Sequence, residues 1–259
     1  MNFEPLIDTH CHLDFDVFQA DHNALFASAH AAGVTRFIVP SVGAWNWQQV
    51  ETLSDNHPGV YYALGMHPYF LARHQQGDVE HLATRLSNAS ADCVAVGECG
   101  LDFFQKTTDT QLQLNILEAH LMLAKAHQLP VILHCRRAHG EMLKVLKKYR
   151  PNKGGVVHGF SGSYQQAMDF FKLGFVIGVG GTITYERAKK TRDAISRLPL
   201  EALVLETDSP DMPLAGFQGE PNKPDRLPLV LRALDEVRKE SIKDLASATV
   251  RNSEALFGL

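Results

Sequence analysis

The chain has 259 residues, a formal net charge of −4 and a hydrophobic fraction of 45%. This composition is typical of a globular protein and excludes a disordered or fibrous chain. The acidic balance excludes a protein-wide basic field for nucleic acid, so any contact with phosphates has to be local. No apolar run reaches the roughly 18 residues of a membrane helix, and the first residues lack the pattern of a secretory signal. We therefore expect a cytoplasmic protein with no membrane contact.

Short apolar runs alternate with longer helical patterns along the chain, which predicts parallel βα units. Strands are predicted at residues 5–9, 36–41, 60–66, 93–98, 130–134, 155–159, 175–179 and 202–207. A helical pattern covers residues 109–128, and two more, at about 225–238 and 242–256, follow the last strand. Eight such units in a single domain, residues 1–259, predict an α/β fold of the (β/α)₈ TIM-barrel type, with a doubly wound sheet as the alternative.

The first predicted strand runs into the sequence DTHCH, in which His10 and His12 face one side and Cys11 faces the other. Such a pair is weak evidence by itself in a chain with 13 histidines. Further residues with metal-binding or acid–base chemistry follow or end other predicted strands: His67, Glu98, His134, His158 and Asp208. Because active sites of such barrels lie at the carboxyl ends of the strands, we expect all of them to converge there.

Four histidines and two carboxylates exceed the needs of one catalytic zinc ion, which takes three protein ligands and keeps one open position. The sequence therefore predicts two divalent metal ions bridged by Glu98. One ion is assigned to His10, His12, Glu98 and Asp208, and the other to Glu98, His134 and His158. Imidazole and carboxylate ligands favour zinc as the bound ion, while magnesium or manganese stay open as the working ion.

Three residues are predicted to be catalytic: Asp208 as general base, Glu98 as bridge, and His67 at the mouth of the site. His67 could instead hold a turn. Arg136 is predicted to bind substrate, because a guanidinium holds a phosphate bidentately. Asp102 either contacts substrate or holds the loop after the fourth strand, and the pattern does not separate the two.

Other polar residues have structural interpretations. Asp8 either orients an imidazole or makes a strand-end or turn hydrogen bond, and Glu206 is expected to be a buried, paired carboxylate. Ser161 or Ser163 is expected to cap the next helix. The remaining histidines in helical or polar contexts are expected at the surface: His22, His30, His57, His74, His81, His120 and His127. The four cysteines show no C-x-x-C spacing and are expected to be buried filler.

Seven motifs from residue 6 to beyond 224 occur in a fixed order: IDTHCHLDF, GMHP, VGECGLDF, PVILHCRRAH, HGFSGS, VGGTIT and ETDSPDMPLAGFQGEPNKP. In this order and spacing the chain resembles the TatD family of metal-dependent hydrolases. The resemblance implies an amidohydrolase-type barrel and the same six metal ligands that the spacing argument selects. It also implies a metal-dependent deoxyribonuclease, since the family includes 3′-to-5′ exonucleases. Cys99 departs from the apolar residue or Thr that is common in the family.

The leading hypothesis is a phosphodiesterase acting on DNA at single-stranded 3′ ends, since a terminus enters a cleft more easily than a duplex does. Basic residues expected near the mouth support it: Arg136, Arg137, Lys153, Lys223 and Arg226. Aromatic rings available for base stacking are Phe103, Phe104, Phe160 and Tyr69. The alternative is a hydrolase of a small lactone, cyclic amide or phosphoester. A non-catalytic metal-binding protein is disfavoured, because storage needs no such ligand set, and a monomer is expected.

Overall fold

Parallel pairing links the strands in chain order in the computed structural model, which describes residues 5–104 and 109–259. The strands are β1 (Leu6–Asp8), β2 (Val34–Pro40), β3 (Val60–Leu64), β4 (Cys93–Asp102), β5 (Val131–Arg136), β6 (Gly155–Val157), β7 (Phe175–Val179) and β8 (Leu203–Leu205). The chain after β8 returns to β1, because Thr9 N donates to Leu205 O at 3.0 Å and Asp208 N donates to His10 O at 2.8 Å. The predicted barrel is therefore confirmed.

A helix follows each strand, and one more ends the chain. The helices are α1 (His22–Ala31), α2 (Trp47–Asn56), α3 (Asp78–Ser87), α4 (Thr110–His127), α5 (His139–Tyr149), α6 (Tyr164–Lys172), α7 (Lys189–Arg197), α8 (Leu227–Asp235) and α9 (Ile242–Phe257). Ser163 caps α6 as expected, in a reciprocal arrangement with Gln166. Within the described residues, none of these helices is both long and apolar enough to cross a membrane.

Alternate strand residues divide between two apolar clusters. Phe37 and Val39 of β2 belong to a large cluster that also contains helix residues, whereas Ile38 between them belongs to a small one. The small cluster collects strand residues from most of the sheet: Ile38, Ala63, Val94, Ala95, Ile132, Val156 and Val204. Because side chains alternate across a strand, the small cluster fills the barrel interior and the large one joins barrel to helices.

Strand β4 extends beyond its predicted end, so the expectation that Glu98 ends this strand is wrong. The strand continues to pair with β5 as far as Asp102, which is opposite Arg136. The extension requires close contact between the two backbones, because a Cβ added at Gly100 would lie 2.0 Å from the carbonyl oxygen of His134. A shift of register between Val96 and Cys99 accompanies it and leaves Glu98 at the irregularity.

His120 is fully buried, and the expectation of a surface position is wrong. It lies on the buried side of α4 with Ile116 and Leu117. Its ring is satisfied there, because Nδ1 lies 2.7 Å from Ile116 O and Nε2 accepts from Met66 N at 3.0 Å. A histidine with both nitrogens bonded serves as a core residue, which its polar type alone did not indicate.

Candidate metal centre

Closure of the barrel brings the ends of β1 and β8 to one side of Glu98. The Nε2 atom of His10 lies 3.2 Å from Glu98 Oε2 and 3.5 Å from Asp208 Oδ1. The Nε2 atom of His12 lies 3.6 Å and 3.7 Å from the same two oxygens, and 3.3 Å from His10 Nε2. Asp208 has a left-handed backbone, with φ of 57°, a conformation that aspartate tolerates better than most residues. These four side chains form the β1/β8 half of the centre.

Strands β5 and β6 supply the other side of the same carboxylate. Glu98 Oε1 lies 3.2 Å from His134 Nδ1 and 2.7 Å from His158 Nε2. The two imidazole nitrogens are 3.3 Å apart. Glu98, His134 and His158 form the β5/β6 half, so the two oxygens of Glu98 face different histidines.

The arrangement fits metal ions better than it fits hydrogen bonds. Both oxygens of Glu98 are buried, yet neither has an aligned hydrogen-bond partner among the described residues, although histidine nitrogens surround them. A tetrahedral ion with bonds of about 2.1 Å separates its ligand atoms by about 3.4 Å. The separations of 3.2 to 3.7 Å in the β1/β8 half match this value. A carboxylate with imidazole nitrogens near both of its oxygens is a suitable bridge between two cations.

Hydrogen bonds on the far side of two rings determine which nitrogen faces the centre. His12 Nδ1 lies 3.2 Å from the carbonyl oxygen of Pro40, which can only accept, so Nδ1 carries the hydrogen and Nε2 presents its lone pair. His134 Nε2 lies 3.2 Å from Asp102 Oδ2, so in this ring Nδ1 faces the centre. Asp102 thus orients a candidate ligand, a role outside the two that the sequence left open, and its Oδ1 also accepts from Phe104 N at 2.9 Å in the segment after β4.

A second carboxylate, that of Glu206, lies near the rings of His10 and His158. The imidazoles of His10 and His158 are stacked, with centroids 3.8 Å apart and planes inclined by 11°. Their Nδ1 atoms lack hydrogen-bond partners in the part of the chain that the structure describes, and so does Oε2 of Glu206. His158 Nδ1 lies 4.0 Å from Glu206 Oε1, which accepts from Gly159 N. Glu206 is buried as expected and belongs to the surroundings of the centre.

Burial and neighbouring charge set the protonation of the ligands. Burial lowers the pKa of His10, and it lowers the pKa of His12 to about 4. Burial alone would raise the pKa of Glu98, but the neighbouring histidines outweigh it and hold this pKa well below its usual range. Burial also opposes charge on His134, yet its hydrogen bond to Asp102 and the neighbouring Glu98 carboxylate raise its pKa to about 9. Asp208 has its pKa raised by burial.

His67 lies next to the β5/β6 half as a hydrogen-bond donor. Its Nδ1 accepts from Tyr69 N at 2.9 Å, so the neutral ring carries its hydrogen on Nε2. That Nε2 lies 2.9 Å from Glu98 Oε1. A protonated nitrogen does not bind a metal ion, so the geometry gives His67 a different part from the six candidate ligands. Asp8, by contrast, accepts from Thr207 Oγ1 at 2.6 Å and from His10 N at 3.3 Å, and so ties the end of β1 to the segment after β8.

A cavity of about 810 Å³ opens above the centre. The rings of Tyr69, Phe70 and Phe15 line it after β1 and β3, and the cations Arg136, Arg137 and Lys190 line it after β5 and β7. The guanidinium of Arg136 lies 3.8 Å from the centroid of the Phe104 ring, and that of Arg137 lies 4.6 Å from it. Tyr69, Phe70 and Phe15 therefore line one side of the mouth, and two of the cations on the other side pack against the ring of Phe104.

Some residues expected near the mouth do not line its cavity, including Phe103, Phe160, Lys153, Lys223 and Arg226. Phe160 is only 3% exposed, so its ring cannot stack on a base. Lys153 lies between α5 and β6, at the amino ends of the strands and opposite the centre. Lys190, which the sequence analysis missed, reaches the cavity from the start of α7. A position 11 residues beyond the end of β7 at Val179 gave no local signal for this.

Fold and site together define a barrel hydrolase with a histidine–carboxylate metal centre. The model of the family described as TatD related DNase matches residues 7–258. The chain is 48% identical to the uncharacterized metal-dependent hydrolase YjjV of Escherichia coli K12, over 98% of each chain. The crystal structure of that protein superposes with a TM-score of 0.97 over 98% of each chain.

Two other relatives extend the likeness. An uncharacterized metal-dependent hydrolase of Haemophilus influenzae is 42% identical, over 96% of this chain and 98% of its own. A 3′-5′ ssDNA/RNA exonuclease TatD of Citrobacter rodentium is 32% identical, over 98% of each chain. The chain belongs to the TatD family of metal-dependent hydrolases, which confirms the family, the barrel and the hydrolase class predicted from the motifs.

Proposed function

We propose that the protein hydrolyses phosphodiester bonds at single-stranded ends of DNA, and that its six converging residues hold two divalent ions. His10, His12, Glu98 and Asp208 would hold one ion, and Glu98, His134 and His158 the other. The observation that carries the proposal is that the two Glu98 oxygens face different imidazoles, Oε2 those of His10 and His12 and Oε1 those of His134 and His158 beside His67. When bound, such ions lower the pKa of the attacking water and stabilise the leaving oxygen. Zinc suits these ligands, and magnesium or manganese are the other candidates for turnover.

The chain's own groups account for the remaining requirements of the reaction. The Oδ1 atom of Asp208 faces the centre, and we assign to this carboxylate the proton of the attacking water. His67 holds a hydrogen on Nε2 beside Glu98 Oε1, where it can donate a hydrogen bond to a phosphate oxygen or to the departing sugar oxygen. Arg136 is held above Phe104, and its exposed guanidinium can bind a neighbouring phosphate bidentately.

The mouth of the site supports a nucleic-acid substrate. Tyr69 is 51% exposed and Phe104 is 45% exposed, so both rings offer an open surface for stacking. Cations on the other side suit the phosphates. The relative from Citrobacter rodentium is named as a 3′-5′ ssDNA/RNA exonuclease, which supports the same substrate class and a 3′ end. The four cysteines are free, which suits a reducing cytoplasm, and we propose a monomer there.

The test is hydrolysis of single-stranded DNA oligonucleotides labelled at either the 5′ or the 3′ end, with magnesium, manganese or zinc. We expect a ladder that shortens from the 3′ end and is absent for Glu98→Ala. Glu201→Ala, at an exposed carboxylate near β8, is the matched control and should keep the wild-type ladder. Protein that holds two ions by elemental analysis and still cleaves no oligonucleotide would contradict the proposal and favour a small lactone, amide or phosphoester.

A further inference from the structure

A second cavity of about 260 Å³ lies beside the first. Thr182 and Met212 line both cavities, so the two are neighbours that share a wall. Tyr185 and Arg187 line the second cavity only. A path therefore leads from the metal centre across the segments that follow β7 and β8, away from the aromatic side of the mouth.

Two cations mark this path. Lys190 lines the first cavity and Arg187 the second, both are exposed, and neither has an ion-pair partner in residues 5–104 and 109–259. Cations farther along α7 differ, because Arg192 pairs with Glu236 at 3.3 Å and Arg197 with Asp193 at 3.1 Å. In a chain with a net charge of −4, unpaired cations next to a hydrolytic centre indicate an anionic ligand.

The segment that carries Arg187 is held by hydrogen bonds. The hydroxyl of Tyr185 donates to Pro213 O at 2.6 Å, and the guanidinium of Arg187 lies 4.8 Å from the Tyr185 ring centroid. Thr184 Oγ1 accepts from Ala215 N at 2.8 Å, which ties the segment to the chain after β8. A cation held in place before binding loses less conformational entropy when it binds a phosphate.

Two carboxylates on the same rim limit what the ligand can be. Glu186 is exposed beside Arg187, and Asp211 lines the first cavity. The rim is therefore not a uniformly basic patch, and a compact polyanion would meet repulsion there. A single strand carries its charges at intervals, so its phosphates can lie on the separate cations while the sugars and bases lie between.

We propose that the second cavity is a subsite for the part of a single strand that extends beyond the bond being cut, with Lys190 and Arg187 on successive phosphates. This inference rests on the proposed function and adds the route of the strand, across the segments after β7 and β8. Its consequence is a dependence of affinity on substrate length, because a substrate confined to the first cavity cannot reach Arg187.

The experiment compares Arg187→Ala and Lys190→Ala with wild type on bis-p-nitrophenyl phosphate, a dinucleotide and a single-stranded decanucleotide. We expect the KM for the decanucleotide to rise about 5-fold in each variant at unchanged kcat, which is about 1 kcal/mol of binding. The slope of log KM against log salt should fall by about 0.7 for each lost phosphate contact. The bis-p-nitrophenyl phosphate rate and the dinucleotide KM should stay at the wild-type values in Arg187→Ala, because Arg187 lines the second cavity only. Arg251→Ala, at an exposed position on α9, is the control.

The outcomes separate this inference from the proposed function. Wild type that cleaves neither DNA substrate overturns the proposed function and the subsite with it. Wild type that cleaves the decanucleotide, with KM and salt slope identical in Arg187→Ala and Lys190→Ala, overturns the subsite alone. Both variants are at exposed side chains, and an unchanged thermal midpoint would show that neither has lost its fold.

Discussion

The two halves of the metal centre place similar imidazoles in different protonation states. In the β1/β8 half, His12 is oriented by the neutral carbonyl of Pro40, and burial lowers its pKa to about 4. In the β5/β6 half, His134 is also buried, but the Asp102 and Glu98 carboxylates raise its pKa to about 9. The partner behind a ring therefore decides whether the ring is neutral or charged before metal arrives. His134 must lose a proton to become a ligand, whereas His12 is already neutral.

The largest effect is expected from Glu98→Gln, which should weaken metal binding in both halves at once. Glu98→Gln keeps the size of the side chain but removes the charge that both halves face, so we expect metal binding to weaken in both. Without the ions, several kcal/mol of transition-state stabilisation are lost, and kcat/KM should fall about 10³-fold or more. Elemental analysis and oligonucleotide hydrolysis measure the two consequences. Two ions per chain at wild-type affinity in this variant would show that Glu98 is not the bridge.

Asp102→Asn should weaken metal binding in the β5/β6 half and leave the β1/β8 half unchanged. The substitution removes the carboxylate that orients His134, and loss of such a partner typically weakens metal binding by about 10- to 100-fold. Chelator competition should therefore show one ion bound more weakly and one unchanged. Asp235→Asn, at an exposed carboxylate on α8, is the control and should bind both ions as wild type does. Equal weakening of both ions would mean that the halves are not independent.

Titration of the metal-free protein sharpens the same comparison. His134 has a pKa raised to about 9, and burial raises the pKa of Glu206 to about 8, so both groups hold protons in the folded state that the unfolded chain has released. Stability then falls as pH rises from 7 to 9, by up to about 1.4 kcal/mol per pH unit for each proton. The lowered pKa of His12 lies below this window and does not oppose the trend.

Urea unfolding in EDTA at pH 7, 8 and 9 measures this slope. Asp102→Asn should reduce it, since His134 then loses the partner that raises its pKa. Saturating zinc should reduce the slope, because a bound ion displaces the proton of His134. Equal urea midpoints for the metal-free protein at pH 7 and pH 9 would mean that these groups are not protonated in the folded state.

The sequence predicted the barrel and the convergence of its six candidate ligands, because both depend on local pattern. Runs of strand residues alternate with helical periods, and the chemistry-bearing residues follow or end the strands. The sequence pattern did not predict contacts between segments that are far apart in the chain. The orientation of His134 depends on Asp102 of the neighbouring strand, and Lys190 reaches the cavity from the start of α7. The position of Glu98 inside β4 depends on how closely that strand approaches β5 at Gly100.

The smallest expected effect concerns Arg136, which lies outside both halves. Its side chain is 47% exposed, stacks on Phe104 and lies 3.9 Å from Asp102 Oδ2, so it touches the partner of His134 without being oriented by it. Arg136→Ala should raise the KM for oligonucleotides about 3- to 10-fold, as expected for one phosphate contact in a solvated position, while both ions stay bound. Arg136→Lys should recover only part of this loss, because an ammonium lacks the planar fork that binds a phosphate bidentately. If Arg136→Ala instead released the β5/β6 ion, the charge of Arg136 would support Asp102. Arg136 would then belong to the metal centre and not to the substrate contacts.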